Sequence, residues 1–311
     1  MGGYILGRIL QMIPVLFIVS LIVFAIMRIL PGDPAMLMLQ GAEGGVITPE
    51  RLDALREKMG LNDPIIVQYF NFLTGALVGD LGESIRFREP VLDMILDRLA
   101  PTMQLAFAGL VCSLIIGVPL GMIAAMRRGG WVDAFTMSFS YLGASTPVFF
   151  LGLVLISVFA FTLGMLPSAG STGWRSLVMP ALTLGLINAG LIARLMRSSL
   201  LDVLGQDYMR TGRAKGLPPR LLMARHGIKN AMIPVVTILG LQFGNMLAGT
   251  VVTETVFSRP GIGRMIVSSI LQKDYPLIQG AVLFLSVTYV TANLIVDILY
   301  AWLDPRIRYD R

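Results

Sequence analysis

Six long stretches of this sequence contain no charged side chain, and they constrain the fold more than any other feature. They cover residues 9–27, 99–126, 134–174, 176–193, 230–253 and 275–296. About 20 consecutive apolar residues are enough to cross a bilayer as an α-helix. Only 14% of the 311 residues are charged, whereas a typical soluble domain has about 25%. The sequence therefore predicts an all-α polytopic membrane protein with six transmembrane helices.

Two of these stretches allow a second interpretation. The stretch 134–174 is long enough for one helix and an exit segment, with the turn at LPSAG (166–170). The first stretch could be a signal peptide, but it is longer than the roughly 7–15 apolar residues of such a segment and no A-x-A-like cleavage site follows it. LPGDP (30–34) comes next, which is typical of a helix end and a turn. We interpret residues 9–27 as a retained first span.

Lysine and arginine are distributed unevenly across the predicted membrane. One side holds Arg8, the loop with Arg127 and Arg128, the loop 194–229 and the tail, with fourteen such residues against four in the opposite short loops. The long loop 31–99 is left out because long loops are translocated largely regardless of their charge. The positive-inside rule then places both termini in the cytoplasm. The net charge of +6 therefore needs no nucleic-acid partner to explain it.

The spans divide the chain into four parts. Residues 1–30 form a cytoplasmic N-terminus with the first transmembrane helix, 31–99 a periplasmic helical loop, 100–303 the core transmembrane domain, and 304–311 a cytoplasmic tail. Three helices are predicted in the loop, and their signals are Thr48–Pro49 before Gly60, Asp63–Pro64, and Pro90. The apolar positions are Leu52, Leu55 and Met59 in the first, Ile65, Ile66, Tyr69, Phe70 and Leu73 in the second, and Val91, Ile95 and Leu99 in the third. This loop is either a helical cap over the bundle or a docking or gating surface for an extracytoplasmic partner, and the two can hold together.

Small and polar residues repeat along the spans at helical spacing. The small ones, which let helices approach closely in lipid, are Gly117, Gly121 and Ala125, then Ala181, Gly185, Ala189 and Ala193, then Gly240, Gly244 and Ala248. The polar ones are candidates for a translocation path, because polar side chains at membrane depth face protein or water: Thr146, Asn188, Gln242, Asn245, Gly249 and Thr253. The alternative for these is hydrogen bonding between helices. Cys112 is interpreted as a packing residue, and Asp297 as a carboxylate paired with a basic helix end or a functional group.

A basic segment interrupts the apolar sequence. Residues 210–229 contain six Lys or Arg and no acidic residue. The segment 207–227 is predicted to break at Gly216, to begin a short helix at Pro218–Pro219 and to leave it at Gly227. Leu221, Leu222 and Met223 would then form an exposed apolar ridge, flanked by Arg220, Arg225 and His226. Such a ridge suits a helix that docks into a partner's groove, whereas a basic segment without one would only bind anionic lipid.

These residues carry a family resemblance. The segment 207–237 is similar to the cytoplasmic EAA loop of ABC importer permeases, in the peptide and nickel branch. Further matching stretches are LPGDP (30–34), REPV (88–91), 193–211, TETVFSRPGIGRM (253–265), KDYPLIQG (273–280) and DPRIRY (304–309). Together they resemble the B-type permease of dipeptide, oligopeptide, glutathione or nickel importers. Arg210, Thr211 and Gly212 stand where the general loop has Glu-Ala-Ala, a drift that the peptide branch shares.

The resemblance implies a type I importer permease fold and a set of partners. These are a related second permease in a heterodimer, two cytoplasmic ATPase subunits, a periplasmic or lipid-anchored substrate-binding protein, and membrane lipid. It also implies that the coupling loop 205–229 seats in the ATPase through Arg213, Ala214, Lys215, Gly216, Leu217, Arg220, Leu221, Leu222, Arg225 and His226. The location implied is the bacterial inner membrane.

The sequence lacks the motifs of several other protein classes, which narrows the set of functions that it can have. The sequence has no G-x-x-x-x-G-K-[ST] for cradling ATP, so we expect no cofactor in this chain, with ATP and Mg bound by the partner ATPases. One histidine and one cysteine give no catalytic or metal-binding cluster, which argues against an intramembrane enzyme. An ion-driven secondary transporter would carry ionisable residues at the span centres, and these hold almost none. Short peptides are the favoured cargo, with nickel chelates, glutathione, opines or sugars as alternatives.

Overall fold

The computed structural model describes residues 2–29, 33, 35–36, 39 and 48–303. Nearly all of this part is helical, and its β-structure is one isolated bridge between Glu83 and Pro90. The helices are α1 (Gly2–Ile29), α2 (Pro49–Lys58), α3 (Ile65–Val78), α4 (Val91–Met126), α5 (Trp131–Ser145), α6 (Val148–Leu155, extended by a π-helix, Ile156–Thr162), α7 (Arg175–Leu204), α8 (Asp207–Ala214), α9 (Pro219–Leu222, extended by a π-helix, Met223–Ile228), α10 (Lys229–Val256), α11 (Ile262–Gln272) and α12 (Tyr275–Leu303).

Among the residues that the structure describes, five helices are long and apolar enough to cross a membrane, and a bent pair brings the number to six if it is one span. The bent pair, Trp131–Ser145 and Val148–Thr162, turns by 109° within the stretch predicted as one helix with an exit segment. The break has a local cause, because Thr146 precedes Pro147 and is extended, with φ −86° and ψ 122°. A residue before proline disfavours the α conformation, so the helix ends there and a new one begins after the ring.

The loop helices begin where the sequence predicts. The Thr48 side chain accepts from Arg51 N at the start of α2, α3 starts directly after Pro64, and α4 starts at Val91. The third loop helix, however, does not end near residue 99, because it continues as α4 into the apolar stretch through Pro101. The LPGDP and DPRIRY segments lie wholly or mostly outside the described residues, as does the side chain of Asp297.

The chain forms two compact units, and the first combines Met1–Ala100 with Pro260–Arg311. Within it α1 packs along α12, and α11 packs on α12. Its core contains Val91, Met94 and Ile95 at the start of α4, packed with Ile262, Met265, Leu277 and Ala281, and Leu99 lies against the same cluster. This confirms the predicted apolar side of the third loop helix.

A buried carboxylate ties the loop before α4 to the turn before α12. Asp274 is 1% exposed and accepts hydrogen bonds from Ser84 Oγ, from Ile85 N at 3.1 Å and from Arg86 N at 3.2 Å. These donors, together with Leu277 N at 3.4 Å, hydrogen-bond both oxygens of the buried carboxylate. It fixes the conformation of residues 84–86 in the first unit.

The second unit, Pro101–Arg259, is held together by the predicted stripes of small residues. A Cβ at Gly117 would lie 2.7 Å from Ala189 O, and one at Gly185 would lie 2.6 Å from Cys112 Cβ. Glycine is required at these two positions because α4 and α7 approach too closely for any side chain. Cys112 is thus a packing residue of this interface, as predicted. Gly240 and Gly244 are also buried, whereas Ala248 is exposed.

An ion pair joins α5 to α7 within the same unit. Both guanidinium nitrogens Nε and Nη2 of Arg197 donate to Asp133, whose carboxylate also accepts from Gly129 N at 2.9 Å. Asp133 is buried, and the bidentate geometry leaves its oxygens satisfied. The pair fixes the start of α5, directly after the Arg127–Arg128 turn, against α7.

Candidate functional site

The predicted coupling loop forms an elbow between α7 and α10, which we define as residues 207–228. Helix α8 ends at Ala214, Gly216 turns the chain with φ +76°, and α9 begins at Pro219 behind Pro218. A Cβ on Gly216 would meet nothing within 4 Å. The demand for glycine there therefore comes from the backbone conformation alone, since L-residues with side chains rarely adopt it.

The predicted exit at Gly227 is wrong. The chain passes from α9 through the π-helix Met223–Ile228 directly into α10. Gly227 is buried, and a Cβ there would lie 2.8 Å from Met223 Sδ. Its small size serves packing inside a continuous helix. Helix α9 is thus continuous with the membrane span through one helical segment, Pro219–Val256.

The predicted exposed ridge is also wrong in two of its three members, because Leu222 is buried and Met223 is half-buried against the core of the second unit. Leu222 is 3% exposed, and a Cβ on Gly212 would lie 2.5 Å from its Cδ1. Leu222 therefore joins α9 to α8, near the buried Met209. Leu221 is 45% exposed and points away from this packing. The helical repeat turns consecutive residues by about 100°, so when Leu222 packs on α8 the adjacent Leu221 is turned away from that contact.

The outer side of the elbow is basic with two apolar side chains. Tyr208 and Leu221 are its exposed large hydrophobic residues. The other exposed residues of the predicted coupling set are Arg213, Ala214, Lys215, Gly216, Arg220 and Arg225, while Leu217 and His226 are half-buried. This outer side is the elbow surface to which we refer below. An apolar centre with a cationic rim is suited to an acidic or polar cleft on a partner protein.

Three of the predicted path residues form a chain of amides between α7 and α10. Gln242 Nε2 donates to Asn188 Oδ1 at 2.8 Å, and Asn245 Nδ2 donates to Gln242 Oε1 at 3.2 Å. Asn188 also donates to Leu184 O at 2.8 Å. Gln242 is buried and Asn245 is exposed. The amides thus make an interhelical hydrogen bond, and at the same time they present one polar side chain on the surface of this unit.

The other three predicted path residues have local partners. Thr146 donates to Leu142 O, and Thr253, which is buried, donates to Gly249 O at 3.0 Å. A Cβ on Gly249 would lie 3.0 Å from Leu184 Cδ2. A path lined by these residues stays a prediction.

Sequence reasoning missed a charged cluster at the end of α10. Glu254 is fully buried and accepts from Thr102 Oγ1 at 2.6 Å, and Arg259 beside it is also buried. Burial lowers the pKa of Arg259, and the charge of Glu254 opposes that shift. The signal was present in the sequence, since Glu254 directly follows the charge-free stretch 230–253.

We expect Asn245→Leu to reduce substrate uptake while assembly stays normal, because it removes the exposed amide and leaves the Gln242–Asn188 bond intact. Gln242→Leu should add a destabilisation of roughly 1 kcal/mol from the lost interhelical bond. Thr253→Leu should reduce uptake as well.

The measurement is uptake of labelled substrate, together with the yield of assembled complex. Thr237→Leu, a substitution of a half-buried residue on another side of α10, is the control. If all three variants take up substrate at the parental rate, the amide chain serves only to pack the helices together.

Comparisons with known proteins agree with this geometry. Residues 117–309 match the family described as "Binding-protein-dependent transport system inner membrane component", and residues 1–106 match its N-terminal family. The chain is 44% identical over 309 residues to the glutathione transport system permease protein GsiC of Escherichia coli strain K12, covering 99% of this chain and 100% of that one. The GsiC of Shigella flexneri serotype 5b is also 44% identical with the same coverage.

A solved structure gives the fold independently. The inward-facing MetNI methionine ABC transporter superposes with a TM-score of 0.57 at 17% identity, covering 68% of this chain and 96% of that chain. At this identity the likeness shows the fold alone. With the family match over nearly the whole sequence, it confirms the predicted all-α permease architecture. The chain belongs to the inner-membrane permeases of binding-protein-dependent ABC importers.

Proposed function

We propose that this permease forms half of the translocation path for short peptides, with glutathione first among them. The observation that carries the substrate class is the 44% identity to glutathione permeases over 99% of the chain. Glutathione is itself a tripeptide, so this reading lies within the peptide class predicted from the sequence. The second half of the path would come from a related permease in a heterodimer. Nickel chelates, opines and sugars are the alternative cargoes.

The conformational change driven by ATP hydrolysis would be transmitted to this chain through the elbow surface. Two ATPase subunits would seat it in their clefts and hold ATP and Mg, while this chain hydrolyses nothing. The basic rim and the exposed Leu221 support this docking, and the continuous helix from Pro219 to Val256 supports transmission of the movement. A periplasmic or lipid-anchored binding protein would deliver the substrate to the opposite side.

The substrate test uses a bacterial strain in which this permease, its co-encoded partners and the binding protein are the sole route of uptake. We expect labelled glutathione to enter, and deletion of this chain alone to abolish the entry. Excess unlabelled dipeptide is the matched competitor, and a nickel chelate is the unrelated one. Unchanged glutathione uptake after the deletion, with loss of nickel or sugar uptake, would contradict the proposal.

We further propose that both termini are cytoplasmic, so that Arg220 faces the cytoplasm and Glu57 the periplasm. Fourteen Lys and Arg against four in the short loops support this orientation. Arg220→Cys and Glu57→Cys in a Cys112→Ala background would be treated with a membrane-impermeant thiol reagent in intact spheroplasts. We expect labelling at position 57 only. Labelling at position 220 but not at 57 would reverse the orientation.

A further inference from the structure

Helix α3 has an exposed apolar face. The helix contains fourteen residues and no charged side chain. Ile66, Phe70 and Leu77 are 71%, 58% and 80% exposed, and their spacings of four and seven residues place them on one helical face. The sequence analysis names Ile65, Ile66, Tyr69, Phe70 and Leu73 as the apolar side of this helix, yet of these five Tyr69 alone is buried. An apolar face of this kind needs a non-aqueous neighbour.

The opposite side of α3 packs on the first transmembrane helix. Tyr69 Oη and Ser20 Oγ share a hydrogen bond of 2.9 Å. The Phe24 ring lies 5.4 Å from the Tyr69 ring and 6.1 Å from the Phe72 ring. Arg28 donates to Gln68 Oε1. The contacts on α1 therefore extend from Ser20 to Arg28, all within one compact unit.

These contacts set the depth of α3 in the membrane. Arg28 is the first charge after the apolar stretch 9–27, so it marks the polar boundary of this span. Ser20 lies eight residues before it, or about 12 Å at 1.5 Å per residue. One leaflet of the hydrocarbon core is about 15 Å thick. The Tyr69 hydroxyl therefore reaches deep into one leaflet, and α3 lies below the headgroup boundary rather than above it.

Both ends of α3 return to the polar boundary. Gln68 Nε2 near its start donates to Leu61 O and Asp63 O in the preceding loop. After its end, Asp80 lines a cavity of about 370 Å³ together with Arg28 and with Tyr275, the first residue of α12. The helix thus starts and ends at the level where α1 ends and α12 begins. Asn71 is exposed and lies about 100° around the helix from Phe70, away from the centre of the apolar face.

We infer that α3 is an interfacial helix, embedded in the leaflet that contains the C-terminal end of α1, with acyl chains covering Ile66, Phe70 and Leu77. Interfacial helices bury their apolar face by about 5–10 Å and keep a polar side towards the headgroups. Here the exposed Asn71 provides that polar side. Ile18, Leu21 and Ile22 of α1 are exposed as well, as expected of a span that faces lipid. The loop 31–99 is then anchored in the membrane rather than lying wholly in the periplasm.

The test compares two neighbouring positions of the same helix. Phe70→Cys and Asn71→Cys, each in a Cys112→Ala background, carry a nitroxide label in the full complex reconstituted in phosphatidylethanolamine–phosphatidylglycerol vesicles. Collision with oxygen, which concentrates in lipid, is compared with collision with a water-soluble nickel chelate. Ile22→Cys is the lipid-facing reference, and Glu57→Cys is the water-facing reference.

We expect the oxygen-to-chelate ratio at position 70 to match that at position 22 and to exceed that at position 71 several-fold. Two results would overturn the inference. A ratio at position 70 equal to that at position 57 would place the face in water. Exclusion of both reagents at position 70 would show that a protein partner covers it.

Discussion

Leu222→Asp is expected to abolish transport and to destabilise the elbow, whereas Leu221→Asp should leave the fold intact and weaken ATPase binding. Leu222 is 3% exposed and packs on Gly212, so a carboxylate there would cost roughly 3–5 kcal/mol. Leu221 is 45% exposed, so its replacement disturbs no packing within the chain. If the partner buries it, its loss removes about 1.5–3 kcal/mol of burial, which is roughly ten-fold or more in affinity.

The measurements are thermal unfolding of the purified permease and co-purification of the ATPase subunits. Leu222→Asp should unfold at a lower temperature and lose the ATPase subunits on purification. Leu221→Asp should unfold like the parent and lose only the ATPase subunits. Arg220→Ala is the rim control, and we expect it to retain the ATPase, since a rim charge contributes more to association rate than to affinity. Normal ATPase retention by Leu221→Asp would contradict docking through the elbow surface and would favour contact with anionic lipid.

The sequence predicted those features of the fold that depend on local rules. The apolar stretches predicted the spans because the bilayer fixes both length and polarity, and Pro64 and Pro90 marked helix starts because proline suits those positions. The glycine stripe of α4 was predictable for a similar reason, since Gly117 and Gly121 recur every fourth residue on a span. The resemblance to ABC importer permeases supplied the architecture and the family, and both are confirmed.

Features that depend on tertiary packing were not predictable. Whether Leu221 or Leu222 faces outward depends on how α9 meets α8, and hydrophobicity is identical at the two positions. The continuous helix through Gly227 was missed because glycine is typical of a helix end, and its tight packing against Met223 appears only in three dimensions. The exposure of the apolar face of α3 was not predicted, because periodicity identifies an apolar face without saying whether lipid or protein covers it.

Gly216→Val is expected to retain the ATPase but to lose most of the transport. Gly216 has φ +76° and no contact within 4 Å of a Cβ, so a β-branched side chain there would meet backbone strain and no steric collision with a neighbour. Such strain costs about 1–3 kcal/mol. The elbow relieves it by changing the angle between α8 and α9, which alters the link between the docked surface and α10 while leaving the surface residues in place. A change of about 1.4 kcal/mol in the coupled equilibrium corresponds to a ten-fold loss, and uptake should fall on this order.

Two substitutions separate lost coupling from a general effect of strain. Gly129 has φ +78° and equally no contact within 4 Å, yet it lies in the turn between α4 and α5. Gly129→Val therefore introduces the same local strain away from the elbow, and uptake should stay near the parental rate. Gly216→Asn should recover most of the activity, because asparagine tolerates the left-handed region better than other residues with side chains.

ATPase activity of the complex, measured with and without substrate-loaded binding protein, gives the direct readout. In Gly216→Val the ATPase should remain bound but lose its stimulation, because in the proposed coupling the signal passes through the elbow in both directions. Normal stimulation and uptake in this variant would mean that the angle at Gly216 does not transmit the movement, and coupling would then have to run through other contacts of the ATPase with this chain.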